Sequence, residues 1–157
     1  MGLDQLSSIY QQVLMQHYKF PKNRGELANA THEMHLLNPT CGDDLTIQCR
    51  CKQDVIEEIA FTGTGCAIST ASASMMTETL KERTIQEALA LVEEFNALIG
   101  GESHHHLSDE ELKNELQEAF LLKNVRNFPA RYKCAILAWR ALEKSVTSTA
   151  DKEEIYE

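Results

Sequence analysis

The residues of this chain with metal or sulfur chemistry to offer are cysteines in three short segments. These are Asn38-Pro39-Thr40-Cys41-Gly42-Asp43, Gly63-Thr64-Gly65-Cys66-Ala67 and Arg131-Tyr132-Lys133-Cys134-Ala135. The first adds a carboxylate two residues after its cysteine. Three thiolates and a carboxylate fill the four-coordinate shell of a soft-to-borderline metal ion. Thiolates also pass sulfur from one to another by exchange.

Each segment has a functional and a plain reading. In extended backbone Cys41 and Asp43 fall on the same side, where they can share one ion. Gly42 permits a tight turn between them, and the same Pro, Gly and Asp would also serve an ordinary surface turn. Cys66 follows a Gly-x-Gly pair and precedes a helix, where free amides and the positive dipole end stabilise a thiolate. A small apolar residue packed at a strand–helix junction fits that place equally. Cys134 is expected about one and a half turns into the last helix, between the cations of Arg131 and Lys133, which favour a charged thiol. Leu137, Ala138 and Ala141 share its face, so core filling competes. The spacings of 25 and 68 residues match no zinc-ribbon or zinc-finger pattern.

These segments must be positioned by the elements around them. Leu3, Leu6, Ile9, Tyr10, Val13, Leu14 and His17 recur at helical steps, predicting an amphipathic helix over 3–18 that Pro21 ends. Residues 34–38, 45–52 and 55–61 read as a three-stranded antiparallel meander, with Gln53-Asp54 as a two-residue turn. From Ala67 the composition is helical, with a stripe of Ile68, Ala71, Met75, Met76, Thr79 and Leu80. Thr84 with Glu87, and Ser108 with Glu111, are capping-box pairs that open helices reaching about Ile99 and Leu122. Pro129 marks the start of the last helix. Strands first and helices after predict an α+β domain over 1–147, helices packed on one sheet face, followed by a polar tail over 148–157 expected to fray.

The bulk numbers remove several function classes. The 157 residues suffice for a real core without disulfide staples, and 43% hydrophobic with 25% charged content is that of an ordinary globule. A net charge of −9 and pI near 5.1 argue against a nucleic-acid partner bound through a basic surface. No apolar run is long enough to span a membrane, and the N-terminus carries no export-signal pattern, so a cytoplasmic location is expected. Five cysteines, an odd count, point away from a disulfide framework. Cys49 and Cys51 form a CxC pair that could bind metal, but their alternation with Leu45 and Ile47 on one strand face favours core filling. The His104-His105-His106 run and the acidic segment from Asp109 to Glu118 read as solvated surface.

Taken together and in order, these motifs resemble the IscU/NifU-like iron–sulfur cluster assembly proteins. The resemblance runs from His17-Tyr18 and Phe20-Pro21-Lys22-Asn23-Arg24-Gly25 through Cys41-Gly42-Asp43 and Gly65-Cys66-Ala67 to the final cysteine helix. It implies a SufE/IscU-like fold in which Cys41, Asp43, Cys66 and Cys134 converge at one exposed edge as metal ligands. It also implies a pyridoxal-phosphate cysteine desulfurase as partner. The scaffold type has a histidine directly before the third cysteine, where this chain has Lys133, and lacks the segment near 100–120. Both features look like the SufU branch, which is associated with zinc and with accepting sulfur from a SufS-type desulfurase.

The expected function is therefore that of a zinc-bound sulfur acceptor and carrier in iron–sulfur cluster biogenesis. In it Cys41 is freed from the metal to take the persulfide sulfur, and Arg131 is an outer partner of Asp43 or of a partner's carboxylate. Downstream recipients would be an assembly scaffold or apo-proteins. The alternatives are a scaffold holding a transient [2Fe–2S] cluster on Cys41, Cys66 and Cys134, and a purely structural zinc domain.

Overall fold

The structure, a computed structural model, describes residues 3–147 and 153–156. Helix α1 spans Leu3–Lys19 and lays Tyr10, Val13 and Leu14 against the core, with His17 buried. Strands β1 (His32–Asn38), β2 (Asp43–Lys52) and β3 (Val55–Thr64) form the expected antiparallel meander. Gln53 and Asp54 both take positive φ, 51° and 64°, as a tight two-residue hairpin turn requires. Along β2, Leu45, Ile47 and Cys49 are fully buried while their neighbours face outward, so the alternation in the sequence sets which face meets the helices.

The sheet has four strands, not the three expected. Residues Glu153–Ile155 form β4, which pairs in parallel with β1 to give the order β3-β2-β1-β4. The tail expected to fray thus contributes an edge strand, while its residues 148–152 and 157 lie outside those described. The physical reason is the outer edge of β1, whose open backbone groups accept another strand. Tyr156 donates its N–H to Leu37 O at 2.7 Å and its ring packs on the core, and Lys144 pairs with Glu154 at 2.7 Å. Three residues in a polar segment carry no period that sequence patterning could detect.

Helices α2 (Ala67–Leu80), α3 (Ile85–Leu98), α4 (Asp109–Leu116) and α5 (Tyr132–Thr147) follow. Both capping boxes form, Thr84 with Glu87 and Ser108 with Glu111. Helix α4 stops at Leu116, short of the expected Leu122, because Gln117 adopts φ 51°, and a 3-10 stretch over Gln117–Asn127 replaces its last turns. A single 3-10 turn, Pro129–Arg131, leads into α5 and leaves Cys134 only three residues into that helix.

The α2 surface is buried almost all round, including the polar Ser69, Thr70, Ser72, Ser74 and Thr77. Those hydroxyls are used internally. Ser72 donates to Ala135 O at 2.6 Å and accepts the indole N–H of Trp139 at 2.9 Å. Trp139 stacks on Phe95 with ring centroids 3.9 Å apart. This knot joins the start of α5 to α2, and so sets Cys134 near the α2 N-terminus that Cys66 caps. Removing so large a buried ring typically costs about 3–5 kcal/mol.

Candidate metal centre

Asp43 opens β2 opposite Asn38, the last residue of β1. The connection between them is closed by Cys41 N–H donating to Asn38 O at 3.3 Å. Gly42 sits at φ +72°, the left-handed region, so the chain turns back sharply between the thiol and the carboxylate. Cys66 is the N-cap of α2 in extended conformation, and its sulfur accepts the N–H of Ser69 at 3.4 Å. Cys134 enters from the first turn of α5 and is completely buried, whereas Cys41 and Cys66 are half-exposed.

These elements bring the expected donors to one place. The Cys41 and Cys134 sulfurs and a carboxylate oxygen of Asp43 all lie within 4.8 Å of one another. Cys66 adjoins this trio through a hydrogen bond between its sulfur and that of Cys134. All four residues named as ligands from the sequence therefore share one region of the molecule.

Asp43 is 2% exposed, and a buried carboxylate is costly unless hydrogen-bonded. Its Oδ1 accepts the Cys66 N–H at 3.1 Å and the Ser69 hydroxyl at 2.9 Å, and its Oδ2 accepts the Asn38 amide at 3.1 Å. Gly65 is required for this cradle. A Cβ there would overlap Ser69 Oγ and come within 3.0 Å of Asp43 Oδ1. Asn38 Oδ1, beside the carboxylate, is buried with no hydrogen-bond partner among the described residues.

The thiols are unequal. The hydrogen bond from Cys134, aided by the backbone and side chain of Ser69, pulls the Cys66 thiol down to about 6 despite its partial burial. Cys134 moves the other way, because it donates to Cys66 and is buried beside Cys41 and Asp43. Between the two thiols the negative charge is thus favoured on Cys66 and the proton on Cys134. A cation entering the trio would replace that proton, and thiolates are the form in which cysteine ligates metal. Three thiols with one carboxylate are a donor set suited to zinc.

Arg131 lies exposed on the turn before α5 and is not among Asp43's hydrogen-bond partners. The His104–His106 run is exposed as expected, yet it is tethered. Buried Glu94 accepts the N–H groups of His106 and Leu107 and bonds His105 Nδ1 at 2.8 Å. Sequence reasoning missed Ser69 and Asn38. Ser69 stands three residues after the helix cap, a place where a hydroxyl can reach back, so that signal was available. Asn38 precedes Pro39 in a turn and gave no sign that it would face Asp43.

Comparison with known proteins agrees with this architecture. The NifU-like N-terminal domain matches residues 9–135. A Streptococcus pyogenes protein described as the iron–sulfur cluster assembly scaffold protein IscU is 39% identical over 155 residues, 99% of this chain and 93% of its own. A Bacillus subtilis protein described as the zinc-dependent sulfurtransferase SufU is 41% identical over 141 residues, 90% of this chain and 91% of its own. A solved structure from Fervidobacterium islandicum, assigned to SUF-system cluster assembly, superposes with a TM-score of 0.76 at 33% identity, covering 89% of this chain and 98% of that one. With its cysteine segments, its sheet and these relatives in agreement, the chain belongs to the NifU-like N-terminal domain family, alongside IscU and SufU proteins.

Proposed function

We propose that this protein is a zinc-dependent sulfur acceptor and carrier in iron–sulfur cluster biogenesis. The observation that carries the reading is the convergence of Cys41, Asp43 and Cys134, with Cys66 bonded to Cys134, around one small volume. Zinc held there would keep the thiols ionised and shield them from oxidation. Cys66, Cys134 and Asp43 are fixed by Ser69, Asn38 and the α2–α5 knot. Cys41 rides on the Gly42 turn and is half-exposed, which suits it to meet a partner.

The transfer is a thiol exchange. A Cys41 thiolate attacks the outer sulfur of a cysteine desulfurase persulfide. A new sulfur–sulfur bond forms on Cys41 as the old one breaks, and the desulfurase cysteine leaves as a thiolate. Cys134, fully buried, is unsuited to that attack. Among the described residues no helix is long and apolar enough to cross a membrane. The recipient of the sulfur would be an assembly scaffold or apo-protein.

A second reading, a scaffold that builds and releases a [2Fe–2S] cluster, is favoured by the description of the Streptococcus relative. Lys133 next to Cys134 favours the carrier, because it cannot ligate iron as a neutral histidine would. The test is elemental analysis of protein purified without added metal, followed by incubation with a cysteine desulfurase. One zinc per chain and faster desulfurase turnover are expected, and both should fall in Asp43→Ala. Stable iron with acid-labile sulfide would overturn the carrier in favour of the scaffold.

A further inference from the structure

A second group of sulfur and nitrogen donors lies at the other end of β2. In the β1–β2 register His32 is the direct partner of Cys49, so their side chains lie on the same face of the sheet. Cys51 is two residues further along, past an irregularity in the ladder between Arg50 and Cys51. A ring nitrogen of His32 and the sulfurs of Cys49 and Cys51 lie within 4.8 Å of one another. The two sulfurs are 3.8 Å apart. With metal–sulfur bonds of about 2.2–2.3 Å, that separation subtends about 110–120° at a shared ion, the angle of a trigonal or tetrahedral centre.

The surroundings hold this geometry. The Thr31 hydroxyl oxygen accepts the Cys51 N–H at 2.8 Å and bonds His32 Nδ1 at 2.8 Å. One hydroxyl therefore anchors both the backbone of one donor and the ring of another, as outer partners of metal-binding histidines do. Cys49 is fully buried against Ser145, while Cys51 and His32 are half-exposed and leave a way in.

We propose that His32, Cys49 and Cys51 form a second metal site, distinct from the Cys41–Asp43–Cys134 centre, whose guest is a cuprous ion. Two sulfurs and an imidazole are soft donors that select thiophilic d10 cations. Zinc in a closed protein site takes four ligands, and among the described residues this group supplies three. A cuprous ion is satisfied by fewer. None of Cys41, Cys66 or Cys134 takes part, so this site stands or falls apart from the proposed carrier function.

The test uses the full chain, reduced under anaerobic conditions and titrated with copper(I) delivered from a chromophoric cuprous chelator. Cys51→Ser is expected to take up about one equivalent less than the unaltered chain, and His32→Gln to hold that equivalent at least about tenfold more weakly. Cys49, being buried, is left intact. A second measurement needs no variant. Copper(I) should protect Cys51 of the unaltered chain from iodoacetamide, as read by peptide mass spectrometry. Equal copper capacity in Cys51→Ser, or equal alkylation with and without copper(I), would overturn the site. Protection by zinc alone and not by copper(I) would overturn the identity of the guest.

Discussion

Strand β2 has sulfur at both ends, and the two ends treat it differently. At its start, Asp43 and Cys41 meet Cys66 and Cys134, which come from two helices. About 20 and 27 Å away, at about 3.4 Å per residue along the strand, Cys49 and Cys51 sit over the far edge of the core. Cys66 caps a helix and receives hydrogen bonds from Ser69 and Cys134, so its thiol is drawn down to about 6. Cys49 is buried among apolar side chains with another thiol beside it, and burial pushes it up to about 12. The side chain is the same in both places. What separates an anionic sulfur from a neutral one is whether N–H and S–H donors replace the water that folding removes.

The sharpest way to break this contrast is to remove one cysteine from each end. Cys134→Ser should lower zinc affinity more than about 100-fold, beyond the ~10–100-fold that outer-shell partners typically command, and abolish sulfur acceptance. Cys51→Ser, at a half-exposed position, should leave zinc content and sulfur transfer within about twofold, since it touches neither the zinc ligands nor their support. Elemental analysis and a desulfurase assay check both. Zinc lost from Cys51→Ser would mean that the two ends are one system.

A smaller effect tests what sets the first end apart. Ser69→Ala removes one of the two donors to Asp43 Oδ1 and the hydroxyl's bond to Cys66 O, while the Ser69 N–H to the Cys66 sulfur stays. Zinc affinity should fall about 10–100-fold in a competition titration. Metal-free stability should drop by about 1–3 kcal/mol in a denaturant melt, because a buried carboxylate loses a partner. An unchanged zinc affinity would show that the hydroxyl supports the fold and not the ligand.

The contrast in ionisation is read by alkylation of the metal-free protein. The thiolate is the reactive form, so Cys66 should react faster as pH rises through about 6 and then level off. Over one unit below that point its rate should fall about tenfold per pH unit, as the thiolate fraction does. Cys49, held up near 12, should stay silent throughout. Peptide-resolved iodoacetamide labelling measures both, and equal labelling of the two would collapse the distinction.

The first end was legible in the sequence because its parts are local signals. A Cys-Gly-Asp turn, a glycine-flanked cysteine before a helix and a cysteine at a helix start can each be recognised within six residues. Their convergence came from family resemblance, since nothing local says that residue 134 will meet residue 41. The second end was read as core filling, and for Cys49 that is its burial. What escaped was His32, which becomes a neighbour only through the β1–β2 register, a pairing that alternation alone does not specify. Strand β4 was missed for a related reason. Its three residues are strand because β1 offers an edge, not because their own pattern demands it. The buried hydroxyls of α2 escaped as well, because a Ser/Thr-rich helix reads as partly solvated until α1, α5 and the 3-10 stretch cover it.

If the two ends are independent, their energies must add. Thr31→Val removes the hydroxyl that accepts the Cys51 N–H and bonds His32, and should cost about 1 kcal/mol, the usual scale for one such interaction. Zinc affinity at the first end should not move. The double variant Ser69→Ala with Thr31→Val should lose the sum of the two single losses to within about 0.3–0.5 kcal/mol, as residues well beyond 10 Å with no shared partner do. A larger departure, measured by denaturant melts of all four proteins, would mean that β2 transmits strain between the ends. A soft cation arriving at Cys51 would then be felt at Asp43, and the second site would act on the first instead of merely lying beside it.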